Sequence, residues 1–275
     1  MDAERRSSAR AKLAALAVMS ALVGCRGAGE TTDMMVPWSW HGNPWGPQAN
    51  AARETGEIPV VPNNPNMDAW TAWARANLRD GDLVFRMGNA RAFFGLMPFS
   101  RFSAAVAGSK YSHSGIVAIE NGEPVVYDTS TGGPQRQPFA IWLLDATGAF
   151  AIKRPRLEYQ QHASQAVAYC RNVYDTQVPF DTNMKLGDDK LYCIELTQRA
   201  YASSGLELSQ SLRLDHLPRY HEFPKVVALV KVFTAMHPDQ KAYIIGNEKL
   251  GIWSSPALET VYEAPNARPP QTLMR

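Results

Sequence analysis

An α+β fold is predicted for this chain, and three observations carry the prediction. Strand-like and helix-like segments are mixed without the regular alternation that builds a parallel sheet. No Gly-rich phosphate loop follows any strand. Of 275 residues, 45% are apolar and 20% charged, which is globular composition with ample material for a core.

In order along the chain, Asp68 to Leu78 places apolar residues at helical spacing behind an acidic cap. Arg79-Asp80-Gly81 is a turn, and Asp82 to Arg86 (DLVFR) a strand. Asn89 to Lys110 reads as a loop with a short helix. Ser112 to Glu120 alternates and is β-branched, Asn121-Gly122 is a two-residue hairpin signal, and Glu123 to Ser130 returns as the partner strand. Phe150 to Arg154 is a further strand. Tyr159 to Tyr174 is a helix with Ala163, Val167 and Cys170 on its inward stripe, and Leu191 to Ser203 is a second helix opening at Tyr192-Cys193. The apolar run Val226 to Phe233 is predicted as a central strand, and Leu250 to Tyr262 as a capped short helix.

The N-terminus reads as an address. Residues 1–24 join a basic stretch (Arg5, Arg6, Arg10, Lys12) to an apolar run, Leu13 to Val23, too short to span a bilayer. Leu22-Val23-Gly24-Cys25 resembles a bacterial lipobox. That resemblance implies cleavage before Cys25, lipidation of its thiol and a place in the cell envelope. Arg26, where an Asp would retain the protein at the inner membrane, favours the outer membrane facing the periplasm. Residues 25–66 are a Pro-, Gly- and Asn-rich linker whose Trp38, Trp40 and Trp45 are expected to dock onto the body, leaving 67–275 as the folded domain. Beyond residue 24 the charges balance, so nucleic acid is not an expected partner.

Three cysteines exclude a disulfide framework, and the six histidines form no metal-ligand spacing. Cys193 stands where a loop gives way to a helix, so unpaired N–H groups and the dipole favour its thiolate. A buried structural thiol is the alternative. Cys170 lies on an apolar stripe and reads as core. A nucleophilic thiol needs a base and the base an orienting group. A two-residue hairpin puts Gly115 opposite Asp128, and Asp128 diagonal to His113 on one face, about 7–8 Å away by backbone. A three-residue loop would put Asp128 on the other face.

At these residues the chain resembles the NlpC-type papain-like cysteine hydrolases. Gly81-Asp82-Leu83-Val84-Phe85, His113-Ser114-Gly115-Ile116, Val125-Val126-Tyr127-Asp128 and Tyr192-Cys193-Ile194-Glu195-Leu196 follow the circularly permuted order of the YiiX-like branch. The resemblance implies a permuted papain-like fold, an antiparallel sheet or barrel packed against helices, over about Asp80 to Tyr262. It implies Cys193 as nucleophile, His113 as general base and Asp128 in the third polar position, where Glu is common. Ile194 replaces a small Ser and is expected to pack behind the nucleophile; Glu195 is read as structural. Tyr192 is a cleft candidate. Asp82 is another, expected to fix the backbone beside the histidine strand. No metal or cofactor is needed. The leading expectation is a lipid-anchored hydrolase cutting an amide bond in cell-wall peptide. A second gives the same catalyst acyl or lipid substrates, with Ala92 to Phe102 walling an apolar cleft. A third is a non-catalytic envelope binding module.

Overall fold

The structure, a computed structural model, describes residues 43–58, 65–92, 97–187, 189–233 and 235–269. The leader, Cys25, Trp38 and Trp40 lie outside the described residues.

Six antiparallel strands form the main sheet: β1 (Leu83–Arg86), β2 (His113–Glu120), β3 (Glu123–Ser130), β4 (Gly133–Pro138), β5 (Phe150–Pro155) and β6 (Leu258–Ala264), in spatial order β4-β3-β2-β1-β5-β6. Asn121 and Gly122 have φ of 52° and 83°, the left-handed pair a tight two-residue hairpin requires. That turn sets Glu120 opposite Glu123 and Ala118 opposite Val125, the register expected from the sequence.

Strand alternation assigns side chains to two faces. Leu83, Phe85, Ile116 and Ala118 pack against α5 (Ala163–Thr176) and α6 (Cys193–Ala202). Val84, Val117, Val126 and Ile152 pack against Trp70 of α2 (Pro65–Asn77) and against Phe139 and Trp142 of α4 (Phe139–Leu144). The central strands are therefore covered on both faces.

Gly115 marks the tightest approach in the hairpin. A Cβ there would lie 2.6 Å from Val126 Cγ1, 2.9 Å from the Tyr127 carbonyl and 3.2 Å from Asp128 Cβ. Gly115→Ala is expected to cost about 1–3 kcal/mol through overpacking. A lowered urea midpoint at unchanged slope would register it.

Four sequence expectations change. Val226 to Phe233 is no strand: α7 (Pro224–Phe233) is a helix, and none of its described side chains is fully buried. A short apolar run cannot by itself distinguish strand from helix, and Pro224 at the start suits the first turn of a helix. The tail holds a 3-10 turn at Ile252–Ser254 and then edge strand β6 instead of a helix. The helix predicted over Tyr159 to Tyr174 is split: Leu157–His162 is 3-10, and α5 starts at Ala163. Residues 43–58 are not free linker. They carry α1 (Pro47–Glu54), whose Asn50 Nδ2 donates to the Arg136 carbonyl and to Tyr174 Oη, each at 2.8 Å. Trp45 is buried, with Arg53 stacked 3.8 Å from its ring centroid. Two elements had no sequence signal, β4 and α4, the latter packed directly beneath the site.

Candidate active site

Cys193 is the first residue of α6, preceded by Tyr192 in extended conformation (φ −99°, ψ 165°) as N-cap. The Tyr192 ring is buried, and its hydroxyl accepts the Tyr243 N–H at 2.6 Å and donates to the Tyr243 carbonyl at 3.1 Å. Tyr192 is thus a pin that ends the loop, not a cleft wall as expected. The first-turn N–H groups of α6 have no intrahelical acceptor and carry the positive end of the dipole.

Beside Cys193, Ser114 of β2 bonds Thr197 of α6 at 2.9 Å and donates to the Cys193 carbonyl at 3.3 Å. Thr197 Oγ1 donates to the same carbonyl at 3.1 Å. These buried hydroxyls lock the start of α6 to the strand that begins at His113.

His113 Nε2 lies 2.6 Å from Asp128 Oδ2, the facing pair expected from the hairpin register. Cys193 lies close enough to the ring to act on it by charge. Burial works against the imidazolium, but Cys193 and the Asp128 carboxylate outweigh it and raise His113 to about 9. Trp142 Nε1 donates to the same Asp128 Oδ2 at 2.8 Å, and its ring stacks on His113 at 6.1 Å between centroids. Arg86, opposite His113 on β1, sits 4.4 Å above the Trp142 ring, donates to the Trp142 carbonyl, and pairs with Asp145 at 3.4 Å. Sequence reasoning missed Trp142, Arg86, Ser114 and Thr197. The available signal was weak: a fully buried Trp usually finds a partner for its N–H.

An apolar chamber opens beside this constellation, with about 880 Å³ of empty space running out to solvent. Ile194, next to Cys193, and Ser112, next to His113, both line it. Its walls come from α3 (Phe99–Val106) through Phe99 and Phe102, from α7 through Val227 and Val230, and from Ile244 and Ile245. Ile194 therefore forms chamber wall, where the sequence placed it behind the nucleophile. Phe99 and Phe102 belong to the stretch expected to wall an apolar cleft; residues 93–96 of it lie outside the described residues.

Other candidates fall elsewhere. Asp82 is buried in a two-pronged pair with Arg154 (2.6 and 2.7 Å) and accepts the Arg79 N–H at 2.9 Å, so it is no part of the cleft. Its carbonyl accepts the Val117 N–H at 2.8 Å, which does fix the backbone beside the histidine strand. Cys170 is a buried free thiol of the main core, pushed up by desolvation. Glu195 is buried and paired with Arg199 at 2.6 Å. His216 is exposed at the end of the 3-10 turn Leu214–His216. Among the described residues no three His, Cys, Asp or Glu side chains converge as metal donors, and no helix is long and apolar enough to cross a membrane.

Residues 77–243 match a family described as permuted papain-like amidase enzyme, YaeF/YiiX, C92 family. The uncharacterized protein YiiX of Escherichia coli strain K12 is 22% identical over 136 residues, 49% of this chain and 63% of that protein, so the match spans less than two thirds of this relative. The fold is similar to the crystal structure of a protein described as metalloprotein YiiX from Escherichia coli O157:H7. The TM-score is 0.55 at 20% identity, over 68% of this chain and 98% of that one. The metal belongs to the description of that protein; the donor set for one is not assembled among the residues described in this chain.

Proposed function

Because the chain belongs to the permuted papain-like amidase family, a family of cysteine hydrolases, we propose that it hydrolyses the amide of an acyl-chain substrate through a thioester on Cys193. The apolar chamber beside the Cys193–His113 pair carries this reading. Its surface offers apolar contact along its length and few polar partners, which suits an aliphatic chain.

The residues then divide the work. The His113 imidazolium holds the Cys193 thiolate, and Asp128 with Trp142 holds the imidazole in plane. Sγ attacks the carbonyl carbon, and first-turn N–H groups of α6 receive the oxyanion. One such donor is typically worth about 10²–10³ in rate. As the C–N bond breaks, His113 gives its proton to the leaving amine, leaving an S-acyl enzyme. Water, deprotonated by the same imidazole, then cleaves the C–S bond, which releases the acid and restores the pair.

Cell-wall peptide is the second reading, and the envelope address in residues 1–25 supports it. We place the protein at the envelope, lipidated at Cys25 and facing the periplasm, on that same sequence. A peptide needs partners for its backbone N–H and C=O groups, and so the chamber favours the acyl reading. A binding module without chemistry leaves the thiol, base and carboxylate array unexplained.

The test is incubation of the full chain in detergent with a fatty-acyl amide of a fluorescent amine, followed by intact-mass spectrometry. Amine release together with an acyl adduct on Cys193 is expected. Absence of both signals, with this substrate and with a wall-peptide amide alike, would sink the hydrolase reading.

A further inference from the structure

We infer that Ile194 is the specificity-determining residue of this site and selects unbranched acyl carbonyls over peptidyl ones. The inference rests on the acyl-hydrolase reading and states which carbonyl that site accepts.

Three placements lead to it. Ile194 follows the nucleophile in the first turn of α6, and its side chain lines the chamber while packing partly against the main core. A carbonyl attacked by Sγ and held by the first-turn N–H groups must send its next carbon past this side chain into the chamber. Ser112, just before His113, lines the same chamber, so the chain neighbours of both reacting residues border it. The hydroxyls close to the nucleophile are already used. Ser114 and Thr197 bond each other and the Cys193 carbonyl inside the fold.

What passes Ile194 is therefore judged by an apolar, β-branched wall. An acyl chain presents a CH₂ there. A peptidyl carbonyl presents a carbon bearing both a side chain and an N–H, and beside Ile194 that N–H meets no acceptor from this residue. Burying an unpaired donor and crowding a branch both work against the peptidyl substrate. Apolar contacts of a single methylene already shift discrimination by roughly 10–200-fold.

The experiment compares two amides of one fluorescent amine, a dodecanoyl amide and an acetyl-alanyl amide, on the full chain in detergent. The quantity read is the ratio of kcat/KM values, in which the fraction of active protein cancels. The wild type is expected to prefer the dodecanoyl amide. Ile194→Ser is expected to shrink that ratio by about ten-fold or more, while Ile194→Val keeps it within a few-fold. Should Ile194→Ser not fold, Ile194→Ala takes its place in the comparison. An unchanged ratio in the Ser or Ala variant, with Cys193 still acylated, overturns the assignment. So does a wild type that prefers the peptidyl amide, although an acyl adduct on Cys193 would then still uphold thiol hydrolysis. Absence of any adduct from either amide overturns the hydrolase reading and this assignment with it.

Discussion

Cys193→Ala is expected to reduce amide turnover to background, a loss on the order of 10⁶, because residues of such a unit do not contribute additively. Fluorescent amine release over a long incubation measures it, and the acyl adduct disappears with it. The same substitution changes how stability depends on pH. His113 is raised to about 9, with Cys193 among the groups that raise it. A histidine whose folded value lies above its unfolded value of about 6.5 contributes stability that is fully present below that value. That contribution is lost as pH rises through about 9. Without Cys193, one of the groups holding the proton is gone, so the contribution is smaller and its loss is complete at lower pH. Urea midpoints of wild type and Cys193→Ala between pH 6 and 10 read this directly. Superimposable pH profiles would show that thiol and imidazole are not coupled.

Asp128→Asn is expected to lower kcat/KM by roughly 10³–10⁴, the scale on which loss of an orienting carboxylate acts. Two donors, His113 Nε2 and Trp142 Nε1, converge on the single oxygen Oδ2 at 2.6 and 2.8 Å, while Oδ1 has no hydrogen-bond partner among the described residues. An amide can satisfy those donors only by its oxygen, and it does so without charge. The carboxylate is one of the groups that raise His113, so the variant's imidazolium also gives up its proton at lower pH. The alkaline limb of the kcat/KM–pH profile should move to lower pH. A loss of less than ten-fold, with an unmoved alkaline limb, would falsify the orienting role of Asp128. Trp142→Phe then separates the N–H from the ring, since it keeps the stack on His113 and removes only the donor.

Much of this site was legible because it rests on local rules. The two-residue turn at Asn121-Gly122 admits one register, and that register alone brings Asp128 to the face of His113. The break between loop and apolar helix put Cys193 at a helix start, where the backbone itself supplies the electrostatics. Tyr192 and Asp82 were misassigned to the cleft because motif position says which residues are near the chemistry and not which way they point. Tyr192 turns inward to Tyr243, and Asp82 turns to Arg154.

By itself, then, the sequence determined the hairpin, the helix bearing the thiol and the membership of the His113–Asp128–Cys193 set, since each follows from turn geometry, periodicity or a short motif. Only the tertiary structure decided what surrounds them. Trp142 reaches the Asp128 carboxylate from α4 with Arg86 of β1 stacked on its ring, and the chamber is assembled from Phe99, Ile194, Val227 and Ile245, which are far apart in the chain. Even the state of residues 224–233 was a tertiary outcome. An eight-residue apolar run fits a buried strand or a packed helix equally well, and here it folds as a helix that walls the chamber instead of filling the sheet. Periodicity is a property of neighbours along the chain, whereas a cavity belongs to neighbours in space, and no local pattern encodes where those will meet.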